Sequence, residues 1–92
     1  MSTELFLAVD NNPQDVKAFE SLIKASTAAD DRDTLEEVYK NVPRWAPDNA
    51  QNHMVRVLSQ YARTATDTSL QSWLNYKNGL LFWQTYCDQQ MA

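Results

Sequence analysis

Apolar residues return along the chain at helical intervals in five separate stretches, and the pattern predicts five helices. Ser2 or Thr3 can cap a short first helix, Glu4 to Val9, with Leu5, Phe6 and Val9 on one side. Asn12 reads as the N-cap of a second helix. Pro13 would stand at its first position, where the missing N–H costs nothing, and Asp15 near the positive end of its dipole. Val16, Phe19, Leu22, Ile23 and then Ser26 or Thr27 carry that helix to about Ala28. The run Asp30 to Asp33 supplies a turn and a cap for a third helix, in which Leu35, Val38, Tyr39 and Val42 form one apolar side and Pro43 sets the end. Asp48 or Asn49 would cap a fourth, built on Met54, Val57, Leu58 and Tyr61 and fading near Ala65.

The final stretch differs from the rest. From about Ser69 to Gln89 a helix of about 30 Å is expected, with any of Thr66, Asp67, Thr68 and Ser69 able to cap it. On a helical wheel Trp73, Tyr76, Leu80, Trp83 and Cys87 fall in one stripe and Leu70, Leu74 and Leu81 in a second, with Gln71, Asn75, Asn78 and Thr85 gathered on the remaining side. Two stripes imply cover from two sides. The expected fold is therefore a single all-α domain over residues 1–92, a bundle or array of four to five helices around this long C-terminal helix. Trp73, Leu80 and Trp83 are expected in the core with Phe19, Leu35, Val38 and Leu58 nearby. Gly79, inside the helix, is expected to permit a close helix crossing, since it costs about 1 kcal/mol relative to Ala. Phe82 and Tyr86 fit neither stripe. Their expected cover is the Leu5, Phe6, Val9 segment; the alternative is an external partner or a second copy.

Composition supports helices. There is one Gly, and all three Pro precede residue 48, too little punctuation for a many-turned β fold. The net charge of −4 is uneven: residues 1–48 hold ten carboxylates against five Lys and Arg, residues 49–92 two against three. Such a balance argues against direct nucleic-acid binding, which draws on surplus positive charge. The N-terminal stretch lacks the basic start and apolar length of a signal peptide, and no run is long enough to span a membrane. The lone Cys87 cannot form an internal disulfide and is expected as a buried thiol in a reducing, cytoplasmic setting.

Pro13 and Pro47 stand thirty-four residues apart, each in a turn beside a residue able to cap a helix. With Phe19, Leu22, Ile23, Leu35 and Tyr39 between them, residues 13–49 resemble one tetratricopeptide repeat, although Ile23 and Leu35 occupy places where that family has small residues. The resemblance implies protein binding through a groove between stacked helix pairs, without catalysis. In size and acidity the chain also resembles the small cytoplasmic chaperones of type III secretion needle subunits and the phage anti-CRISPR inhibitors.

Sites for chemistry are scarce. His53 has no second histidine to join in a metal site, one Gly cannot build a phosphate loop, and no catalytic motif is present, so neither enzymatic activity nor a cofactor or metal is expected. Five carboxylates, Asp30, Asp31, Asp33, Glu36 and Glu37, crowd into eight residues. They read first as helix-start residues and an i to i+4 pair of Glu36 with Lys40, and second as an acidic surface for a basic partner. The leading expectation is a non-enzymatic adaptor, chaperone or inhibitor that occupies a partner protein's surface through these carboxylates or through Phe82 and Tyr86. The alternative is an acidic inhibitor, of the anti-CRISPR kind, that blocks a nucleic-acid-binding complex.

Overall fold

All five periodic stretches form helices: α1 Thr3–Asn11, α2 Val16–Ala28, α3 Arg32–Trp45, α4 His53–Thr64 and α5 Thr68–Met91. The computed structural model describes residues 3–48 and 52–91, with their side chains as far as residue 83; no strand occurs among them. The all-α bundle is as expected, and the boundaries shift for local reasons. Pro13 lies in the turn before α2, and the cap is Asp15, whose carboxylate accepts from the Ala18 N–H at 3.2 Å. Pro43 does not end α3. It removes one donor near the C-terminus, but the next turn still closes through the Ala46 N–H on the Val42 carbonyl at 2.8 Å, so the helix reaches Trp45. Asn52 rather than Asp48 caps α4, accepting from the Val55 N–H; Asn49 lies outside the described residues. Asp67 does the same for α5 through the Leu70 N–H.

The core is drawn from every helix. Val9 of α1, Phe19, Leu22 and Ile23 of α2, Leu35, Val38, Tyr39, Val42 and Trp45 of α3, Met54, Val57, Leu58 and Ala62 of α4, and Leu70, Leu74 and Leu81 of α5 are all buried. Val16, expected on the inner side of α2, is exposed at its first position, whereas Ser26 is fully buried. α1 lies on α2 and α3, with the Phe6 ring 5.3 Å from that of Trp45. The Asp10 carboxylate accepts from Trp45 Nε1 at 2.9 Å and from Arg44 Nη2 at 2.6 Å, and these bonds hold it below the usual carboxylate range.

α5 departs most from expectation. Among the described residues only the Leu70, Leu74, Leu81 stripe is inside, and it is completed by Asn78, a residue the wheel placed on the polar side. Asn78 is tolerated there because both ends of its amide are used. Oδ1 accepts from the Tyr39 hydroxyl at 2.6 Å, and Nδ2 donates to the Leu58 carbonyl at 3.2 Å, so one side chain ties α5 to α3 and α4. Burial raises the Tyr39 hydroxyl above the usual phenol value and keeps it a neutral donor.

Candidate protein-interaction surface

The acidic run is used mainly to turn the chain. Asp30 has φ 50°, the left-handed conformation that closes α2: its N–H bonds the Thr27 carbonyl at 3.2 Å, and the following Asp31 N–H bonds the Ser26 carbonyl at 2.8 Å. Those two bonds make a Schellman ending with aspartate where glycine is usual. Asp31 then caps α3, accepting from the Thr34 N–H and, at 2.7 Å, from the Thr34 hydroxyl. Asp30 also pairs with Arg32 at 2.9 Å. Glu36 pairs with Lys77 of α5 instead of the expected Lys40, which bonds Glu37 at 3.4 Å. Asp33 is exposed in the first turn of α3. Because the left-handed conformation penalises any residue with a Cβ, Asp30→Gly is expected to raise stability by up to about 1 kcal/mol in urea denaturation, despite losing the exposed Arg32 pair. A clear loss of stability would mean that the carboxylate, not the turn, selects the residue.

The second expected site, on α5, is larger than Phe82 and Tyr86. Tyr76 is 63% exposed, Leu80 46%, Phe82 46% and Trp83 65%, while the Tyr86 and Cys87 side chains lie outside the described residues. The stripe expected to carry the core therefore faces outward, apart from Trp73. That ring is half-buried, edge-on to Tyr39 at 6.2 Å, with the Arg32 guanidinium 5.7 Å and the Lys77 ammonium 5.5 Å from its centroid. The correction has a simple cause. Leucines 70, 74 and 81 join the buried core where α5 packs, chiefly on α4, and a helix packed mainly on one neighbour has one inner face, not two. α1 does not supply the expected cover, because its Leu5, Phe6 and Val9 pack into the core beside α2 and α3.

The exposed face has a definite make-up. Tyr76, Gly79 and Trp83 run along its middle, with Leu80 on one flank and Phe82 on the other. Between Thr68 and Cys87 the only charged residue is Lys77, and it is turned toward Glu36 with its side chain 18% exposed. Gly79 is open: a Cβ there would meet nothing within 4 Å, so among the described residues none makes the close crossing expected at this glycine. Scaling usual aromatic and leucine side-chain areas by these exposures leaves on the order of 450 Å² of apolar surface on one helix, within the range of patches that serve interactions. The signal available in the sequence was the missing charge, since a surface helix usually carries its polar residues outward.

His53 opens α4, with its ring edge-on to Phe19 at 5.7 Å and its Nε2 atom buried without a hydrogen-bond partner. Burial, with a smaller contribution from Arg56, lowers its pKa below the usual imidazole value. The unfolded chain then takes up the proton first as pH falls, so stability is full above about 6.5 and declines below it through the folded-state value. Urea midpoints are expected to drop as pH falls below about 6.5, and His53→Gln to flatten that drop. An ordinary imidazole titration by NMR would contradict this.

Among the described residues no group of three or more His, Cys, Asp or Glu is placed to hold a metal ion, and no helix is long and apolar enough to cross a membrane. No protein-family model matches the chain, and neither the curated proteins nor the solved structures contain a significant match.

Proposed function

We propose that the protein is a non-enzymatic binding module that acts by laying the outer face of α5 on an apolar surface of another protein chain. The observation behind this reading is the contiguous exposure of Tyr76, Leu80, Phe82 and Trp83 on a stretch, Thr68 to Cys87, whose single charge is turned aside. Aromatic residues at the middle of a patch are the usual carriers of binding energy, and a charge-poor centre is the compositional mark of an interface core. The acidic-inhibitor reading has less to work with, since Asp31 caps α3 and Asp30, Glu36 and Glu37 are paired with Arg32, Lys77 and Lys40, although Asp30, Asp33 and Glu37 are exposed.

Capture from a host lysate separates the two. Wild type, a Tyr76→Ser/Trp83→Ser variant and an Asp33→Lys/Glu37→Lys variant are compared at about 0.1 M and about 1 M salt, over which the screening length falls from ~10 Å to ~3 Å. The α5 reading expects a protein held by wild type at both salt concentrations, retained by the charge variant and lost from the aromatic variant, with equal melting temperatures. A captured set that vanishes with salt and with the charge reversal, but not with the aromatic change, would replace it by the acidic reading.

A further inference from the structure

We propose that the outer face of α5 pairs with a second copy of itself, as an antiparallel helix crossing about a two-fold axis between Gly79 and Leu80. The inference rests on reading this face as a protein-docking surface and specifies an occupant for it. Three features argue for a like partner. The face carries no exposed acidic residue, so two copies can meet without like charges opposing each other, although each chain has a net charge of −4. A two-fold interface is self-complementary, and about an axis between 79 and 80 the sequence answers itself: Trp83 of each copy falls opposite Tyr76 of the other, and Leu80 opposite Gly79. The bare backbone at Gly79, with open space around it, is a place where the Leu80 side chain of a second helix can sit and the axes can approach closely. The glycine thereby gains a reason that the fold of one copy does not give it. Two such faces cover on the order of 900 Å², just under the roughly 1,000 Å² that stable interfaces clear, so the pairing expected is a weak one, micromolar or looser, and not an obligate dimer. A different protein bound at the same face would compete with the second copy.

Sedimentation of the full chain over a concentration series tests the pairing. Wild type is expected to pass from monomer to dimer in the micromolar range with little salt dependence. Gly79→Gln is expected to remain monomeric while melting at the same temperature or higher, because glutamine is the better helix former and its Cβ meets no neighbour. A solely structural role for Gly79 would leave association unchanged. In a Cys87→Ser background, Leu80→Cys should form a disulfide-linked dimer on mild oxidation and Ser72→Cys should not, since only positions near an antiparallel axis come within disulfide reach; a parallel pair would link both. Wild type that stays monomeric through the millimolar range, or a Gly79→Gln variant that still dimerises, overturns the proposal. A monomeric chain that nonetheless loses a lysate partner on Tyr76→Ser/Trp83→Ser removes self-pairing and keeps the proposed function. A dimer abolished by that variant while lysate capture persists does the reverse.

Discussion

Phe19→Ala is expected to destabilise the protein by about 3 to 5 kcal/mol, the range for removing a fully buried aromatic ring. Phe19 is inaccessible to solvent at the junction of α2 with α4, two helices that pack extensively, so its loss leaves a cavity that neither helix can close without moving. The substitution has a second, local readout. The Phe19 ring stands edge-on to His53, whose lowered pKa has burial as its main cause. Opening that side admits water to the imidazole, and its titration should move back toward the ordinary value. Urea denaturation measures the first effect and an NMR titration the second. A stable variant with an unmoved histidine would mean that the α2–α4 contact is not what encloses His53.

The second large effect discriminates between the two stripes of α5. Leu74→Ala is expected to cost about 2 to 5 kcal/mol, because the side chain is fully buried. Trp83→Ala removes a larger group, yet with 65% of the residue exposed its expected cost to a single folded copy is no more than about 1 kcal/mol. A size-based ranking gives the opposite order. Measuring both below the concentration at which copies associate keeps any interface contribution out of the comparison.

These two stripes also show where periodicity stops being informative. Apart from Val16, the inner positions of α2, α3 and α4 could be read directly from i, i+3, i+4 spacing, because each of those helices has a single apolar face and the opposite face is visibly polar. In α5 apolar residues occupy most of the circumference, and spacing cannot say which of two apolar stripes faces inward. Bulk suggested the aromatics; the leucines are the ones buried where α5 packs, chiefly on α4. Asn78 was illegible for a related reason. A buried amide is recognised only through its partners, and Tyr39 and Leu58 lie thirty-nine and twenty residues away along the chain. The acidic run could be assigned to a turn and a cap, but not divided between Asp30 as the left-handed residue and Asp31 as the cap, because aspartate tolerates both places.

The Asn78 amide also acts as a keyway for the last helix. Its carbonyl oxygen meets a hydroxyl on α3 and its nitrogen a carbonyl on α4, and a rotation or slip of α5 by one residue would strand both groups away from water. Leucines alone would accept several axial settings, since one apolar contact can replace another. The amide accepts one. It lies on the side of α5 away from Tyr76 and Trp83, so fixing the helix inwardly also fixes the bearing on which its aromatic face points outward. The aim of the outer surface is thus set from within the core, by a polar side chain that never reaches that surface.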